Sequence, residues 1–269
     1  MNAILELFNY DFFQKAFLAT VFASISCGII GSYIVARRIV FISGGITHAS
    51  FGGIGLAFLF GFNPLLGAVL FAVMSAMGIQ FFTKVAEIRE DSSIAIWWSL
   101  GMALGIIFVF LTPGYTPNLM SYLFGNILTV TSSELWWMFM LNVVIVLFFT
   151  LFLRQILYIA FDEEFARTAG LPVDLYNYLI MTLIALTVVL NIRVVGIILI
   201  LSLLTIPQAS ANLFTKDFKK LIVLSSMFAF IGTMIGLFIS YFLDIPSGAA
   251  IIFTLVLMFG LLRVVKIFV

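Results

Sequence analysis

Nine stretches of this chain, at roughly 15–36, 40–61, 64–83, 93–111, 135–153, 173–190, 194–213, 221–242 and 247–265, are long and apolar enough to cross a lipid bilayer, and little sequence is left between them. A hydrocarbon core of about 30 Å is spanned by about 20 helical residues. Hydrophobic residues make up 64% of the chain and charged residues 9%, where a soluble domain carries about 25% charged residues. So much apolar side chain needs lipid as its solvent, and in lipid a backbone must satisfy its own hydrogen bonds. The expected fold is therefore an all-α, polytopic transmembrane helix bundle of eight to nine spans. It forms one membrane domain over 1–269.

The breaks between stretches carry turn chemistry: Asn63-Pro64, Thr112-Pro113-Gly114, Gly170-Leu171-Pro172 and Asp244-Ile245-Pro246. Two places leave the span count open. The second stretch is rich in glycine and reads as short or broken, and the break at 191–194 is brief enough for the sixth and seventh stretches to form one hairpin. Pro207 reads either as a kink that exposes a carbonyl or as a kink held by neighbouring helices. With nine spans and the N-terminus outside, eleven of the thirteen basic residues fall on the cytoplasmic side, leaving Lys15 and Arg193 outside. The loop 112–134 has no Lys or Arg and faces outward. Trp97, Trp98, Trp136 and Trp137 lie near predicted span ends, where indoles anchor in the interface. Met1–Lys15 has no basic leader or small-residue cleavage site, so the first span is expected to serve as its own insertion signal.

Several function classes are disfavoured. A net charge of +1 gives no footprint for nucleic acid. The single cysteine, Cys27, rules out a disulfide framework or a cysteine metal cluster. All twelve carboxylates fall in loops or at span ends, whereas proton-coupled carriers usually need an acid within the bilayer. No G-x-x-x-x-G-K-[ST] loop is present, so the chain does not cradle ATP itself. There is no paired catalytic constellation, and the chain is not expected to be an enzyme. Energy for uphill movement must come from a partner.

The one histidine, His48, stands eight or nine residues into the second stretch, about 12–14 Å deep at 1.5 Å per residue. Gly45, Ala49 and Gly53 recur every four residues beside it, and Gly44 and Gly52 lie one turn to either side. A face this bare permits close helix approach or leaves room for a pathway. Two readings of His48 stand: a hydrogen bond to a neighbouring helix, or an imidazole that touches a passing transition metal. One histidine cannot make a tight four-ligand site, which suits a conduit. Ser43, Thr47, Ser50 or a second copy of His48 from a dimer mate could complete a weak one.

The segment Phe161–Pro172 predicts a short, self-contained helix. Asp162 caps its start, Glu163 and Glu164 complement its dipole, Gly170 suits its C-terminal turn and Pro172 stops it. It reads either as a plain connector or as a docking helix for a cytosolic partner.

Phe161–Pro172, with its A-x-x-x-G-L-P element, and Val194–Ala211, with V-G-x-x-L and P-x-A-x-A, resemble the permease subunits of bacterial ABC importers for zinc, manganese and iron. Phe41–Ala49, Glu90–Ile94 and Leu123–Leu128 agree in order, so the resemblance covers nearly the whole chain. It implies a multi-pass protein of the bacterial cytoplasmic (inner) membrane, paired with a second copy of itself. Two cytoplasmic ATP-binding subunits would hold the ATP, and an extracytoplasmic metal-binding protein would deliver the ion. No cofactor is implied on this chain beyond the transported divalent metal. Glu163, Glu164, Ala166, Gly170 and Pro172 lie on the segment that corresponds to the family's ATPase-coupling helix, and His48 matches the histidine of its F-I-S-D-A-I-S-H-A element. That element usually has an aspartate where this chain has Gly44. Losing a hard oxygen ligand favours zinc over manganese, so zinc is the first expectation and manganese the second, with iron also possible within the class. Asn191, Gln208 and Asn212 are further oxygen donors, more often used for packing. An ion-coupled secondary carrier is the rival from another class. The loop 112–134 reads either as part of the external surface where the binding protein docks or as a covering loop only.

Overall fold

The computed structural model describes residues 9–113, 125 and 127–268, without the side chain of Arg193. The N-terminal leader, most of the loop 112–134 and much of the Leu123–Leu128 motif lie outside the described residues. The described chain is helical almost throughout, in twelve α-helices. They are α1 (Asp11–Ala36), α2 (Phe41–Phe60), α3 (Pro64–Lys84), α4 (Glu90–Leu111), α5 (Ser132–Leu151), α6 (Leu153–Phe161), α7 (Glu163–Thr168), α8 (Val173–Val195), α9 (Ile197–Leu203), α10 (Ile206–Asn212), α11 (Phe218–Leu243) and α12 (Ser247–Phe268). A 3₁₀ turn at Ile127–Thr129 precedes α5. Eight of these helices, α1 to α5, α8, α11 and α12, are long and apolar enough to cross a membrane.

The ninth expected span is a broken one. The sequence places a break at 191–194, yet α8 runs through it and stops at Gly196, whose φ of 87° only glycine adopts without strain. The shorter apolar stretch Ile197–Asn212 is then interrupted again at Leu204 and Thr205. Pro207 opens α10 rather than kinking a continuous helix, the position where its missing N–H costs nothing. The glycine-rich second stretch, read as short or broken, is one uninterrupted helix. Its glycines face other helices, and that packing outweighs their poor helix propensity.

Local chemistry sets most ends. The Asn63 side chain accepts from the Leu65 N–H ahead of α3, with Pro64 in its first turn. Gly61, at φ 71°, ends α2 and donates its N–H to the Ala57 carbonyl. Asp217 caps α11 by accepting from the Lys220 N–H.

The chain divides into two compact units. The first comprises Met1–Val35, Met120–Leu147 and Asn191–Val269; the second comprises Ala36–Leu119 and Phe148–Leu190. In the first, α1 is the interior helix. The Asn142 amide donates to the Phe22 carbonyl at 3.1 Å, and the Gln208 amide donates to the Cys27 carbonyl at 2.8 Å. In the second, α2 is enclosed by α3 and α4. The polarity is inverted relative to a water-soluble protein. Thr20, Ser26, Ser32, Thr47 and Thr187 are fully buried and donate to their own helix one turn back. Phe110, Leu70, Val223 and Leu261 are exposed. In lipid this is the stable arrangement, because the solvent is apolar and hydroxyls must find partners inside.

Candidate functional site

Helices α2 and α4 run parallel, each joined to α3 by a short connection, and they touch through residues too small to hold them apart. A Cβ on Gly45 would meet the Ile94 side chain at 2.5 Å, one on Gly101 the Ala49 Cα at 2.3 Å, and one on Gly55 the Gly105 carbonyl oxygen at 2.5 Å. Residue numbers rise together along both helices, as parallel packing requires. His48 is seven residues into α2 and Trp98 eight into α4, so both lie about 10–12 Å from the start of their helices. Their rings stack, with centroids 4.3 Å apart and planes 8° from parallel. The imidazole is half-buried, and its Nδ1 is buried without a hydrogen-bond partner among the described residues. Ser43, Thr47 and Ser50 are fully buried, each donating to a carbonyl of its own turn. Among the described residues, no three His, Cys, Asp or Glu side chains gather into a metal-binding group. What the geometry offers a cation is therefore one imidazole beside a wall of small residues. Such a contact binds weakly and releases easily.

Trp97 and Trp98 both pack against neighbouring helices. Both are half-buried within the helix packing, and Trp97 lies so close to Gly78 of α3 that a Cβ there would meet the indole at 1.9 Å. Trp136 and Trp137, in the second turn of α5, are more than half exposed. Gln208 and Asn191 spend their amides inside the first unit, on the Cys27 carbonyl and the Ser26 hydroxyl. The Asn212 carbonyl accepts from Lys216.

The second candidate element is α7. Asp162 accepts from the Phe165 N–H, and Gly170, at φ 79°, closes the far end. Ala166 is fully buried on Ile159 and Val173, with Leu171 and Tyr176 packed around them. Glu163 points the same way. One of its carboxylate oxygens accepts from the Lys84 ammonium, from Arg167 at 3.3 Å and from Asn177 at 3.4 Å; the other faces Arg37 at 3.5 Å. Arg37 also donates to the Ile159 carbonyl at 2.8 Å. Arg167 in turn pairs with Asp174 at the start of α8. Burial pushes the Glu163 carboxyl up, but the Lys84 hydrogen bond, the Lys84 and Arg37 charges and the Arg167 hydrogen bond outweigh it and hold the group below the usual glutamate range. Glu164, Phe165, Gly170 and Pro172 are exposed. The five residues assigned to this segment thus divide by direction: Glu163 and Ala166 fasten the helix down, and Glu164, Gly170 and Pro172 face away. Sequence reasoning missed Lys84 and Arg37 as partners, because nothing local links them to Glu163.

Set against known proteins, residues 9–266 match the profile described as the ABC 3 transport family. The chain belongs to the ABC 3 transport family. Relatives of this ABC 3 protein include an uncharacterised membrane protein of Synechocystis, 41% identical over 94% of this chain and 90% of its own length. Another is the manganese transport system membrane protein MntC of Listeria monocytogenes, 35% identical over 94% of this chain and 90% of its own. Among solved structures, PsaBC from Streptococcus pneumoniae in complex with Fab matches with a TM-score of 0.84 and 32% identity, covering 96% of this chain and 95% of that one. The ABC 3 chain therefore has the ABC importer permease fold and is a multi-pass protein of the bacterial cytoplasmic membrane.

Gly170 supplies a test local to this ABC 3 protein. A Cβ there meets nothing within 4 Å among the described residues, so a larger residue clashes with none of them. Gly170→Val forces a β-branched residue into the left-handed region, at a cost of about 1–2 kcal/mol. The folded protein is expected to survive, with a melting temperature lowered by a few degrees. If α7 docks on an ATPase, transport falls much further than stability. Equal, small losses in both would mark Gly170 as a turn residue only.

Proposed function

We propose that this chain is the membrane permease of an ATP-driven importer of divalent metal ions. The observation that carries the reading is α7: a capped surface helix with one face exposed and the other fastened through Glu163 and Ala166 to the span ends. That is the geometry needed to receive a push from a cytoplasmic partner and pass it into the membrane. Membership of an ABC transport family supplies the partner class, an ATP-binding subunit. It also displaces the ion-coupled carrier as an explanation. Two permeases, two ATPase subunits and an extracytoplasmic metal-binding protein form the working assembly, and the whole chain acts as one permease domain. When the ATPases close on ATP they move α7, the paired permeases rock, and the ion passes His48.

Manganese is the first cargo. The Listeria relative, similar over nearly its whole length, is named for manganese transport. This reverses the order that Gly44 alone suggested. Zinc is the second reading, favoured by the chemistry at His48, where an imidazole stands without a carboxylate and suits the softer ion better. The test is uptake of radiolabelled manganese and zinc in cells carrying the complete transporter, against cells whose ATPase is inactive. ATPase-dependent manganese uptake supports the proposal; preferential zinc uptake reinstates the Gly44 argument; uptake of neither removes divalent metals as cargo. In the same cells, His48→Ala is expected to lower uptake by about tenfold or more, the equivalent of about 1.4 kcal/mol, with unchanged amounts of folded permease. Unchanged uptake would leave His48 as a packing residue.

A further inference from the structure

Histidines that bind metals usually fix their ring by donating the second nitrogen to a carboxylate, a carbonyl or water, which also makes the binding nitrogen more basic. His48 departs from this arrangement: Nδ1 is buried and has no hydrogen-bond partner among the described residues. What does constrain the ring is the Trp98 indole, lying parallel on its face with centroids 4.3 Å apart. We infer that Trp98 is the positioning residue for His48, holding the imidazole for the passing cation and favouring its charged, metal-bound form in place of a hydrogen-bonded carboxylate. The inference rests on the reading of His48 as a cargo contact.

The chemistry is consistent at each step. A ring nitrogen binds a metal through its in-plane lone pair, so an indole on the face leaves the binding edge open. The indole face is the negative side of a quadrupole and attracts a cation, Trp being the strongest of the aromatic residues in this respect. An imidazole takes on part of the positive charge of its metal, so the stacked ring favours the loaded state over the empty one. With no protein acceptor for Nδ1 among the described residues, the nitrogen donor stays weak, which suits transit rather than retention. The placement depends on the bare helix faces. Gly45, Ala49 and Gly101 let α2 and α4 approach until the two rings meet. Trp97, the neighbour in sequence, takes no part, because it turns to Gly78 of α3.

Two measurements test the inference. The chain has four tryptophans, so Trp97→Phe, Trp136→Phe and Trp137→Phe together leave Trp98 as its only indole. In the full-length protein held in lipid nanodiscs, adding Mn²⁺ alone is expected to quench Trp98 emission saturably. His48→Ala is expected to abolish that response. In the assembled transporter, Trp98→Leu is expected to raise the KM for metal about tenfold with little change in kcat, and Trp98→Phe, which keeps an aromatic face, to raise it less than about threefold. If Trp98→Leu fails to fold, the Trp98→Phe result and the quench remain decisive. Trp98 emission that ignores Mn²⁺, or a KM unmoved in both variants while His48→Ala still cripples uptake, overturns the role of Trp98 and leaves the His48 reading standing. Loss of neither response nor uptake in His48→Ala overturns the cargo contact itself.

Discussion

Glu163→Gln is expected to leave a folded permease that hydrolyses ATP through its partner and imports almost nothing. The wild-type carboxylate faces three cations, Arg37, Lys84 and Arg167, with its own side chain 20% exposed. Removing one member of a buried ion pair costs about 3–5 kcal/mol, and an exposed pair is worth about 1 kcal/mol or less. Glu163 lies between, at about 2 kcal/mol, enough to shift the docked state of α7 by about thirtyfold. The amide can still bond, but it no longer balances the cations that converge on it. Lys84 is the last residue of α3 and Arg37 lies in the connection from α1 to α2, so the broken link is the one between α7 and the span ends. The measurement is metal uptake per ATP hydrolysed in proteoliposomes, with Glu163→Asp restoring part of the ratio. A ratio unchanged in Glu163→Gln would mean that force reaches the spans through the Ala166 packing alone. The sign of any pH effect follows from the lowered titration of Glu163. Its ion pairs contribute fully above the ordinary glutamate range and are lost only as pH falls through the depressed value, so coupling through this residue is expected to be flat near neutrality.

Gly53→Val should give no folded protein. A Cβ on Gly53 would lie 1.9 Å from the Gly67 carbonyl oxygen, and one on Gly67 would lie 2.2 Å from the Gly53 carbonyl oxygen. Backbone meets backbone there, so no side chain can swing aside, and α2 and α3 must part along their length. Overpacking that shifts backbone costs about 1–3 kcal/mol in ordinary cores, occasionally more; here it also removes the contact that drives small-residue helix association in lipid. Gly260→Val is the control, since among the described residues nothing lies within 4 Å of a Cβ at that position. The check is size-exclusion of detergent-extracted fluorescent fusions: the Gly53→Val peak is expected to vanish while the Gly260→Val peak stays. A monodisperse Gly53→Val protein at normal yield would show that the two helices do not approach this closely.

The features legible in the sequence were those whose cause lies within a few residues of the effect. Long apolar runs marked the spans, since lipid selects composition. Asp162 and Gly170 marked the ends of α7, since a cap bonds to its own first turn and a left-handed turn needs its own glycine. The choice between eight and nine spans stayed open because the seventh stretch breaks at Gly196, where apolarity continues although the backbone turns, and hydropathy responds only to apolarity. What tertiary structure alone decided was direction and company. Glu163 and Glu164 are adjacent and chemically alike, yet one is turned onto Arg37 and Lys84 and the other away. Lys84 is 79 residues distant in the chain, and no periodicity connects the two. Trp97 and Trp98 are neighbours near one predicted span end, and only the packing of α2, α3 and α4 sends one onto Gly78 and the other onto the His48 ring. Charge and hydropathy determine which segments enter the membrane, whereas the absence of side chains at Gly45, Gly53 and Gly101 determines how near the helices come, and so which rings and ions meet.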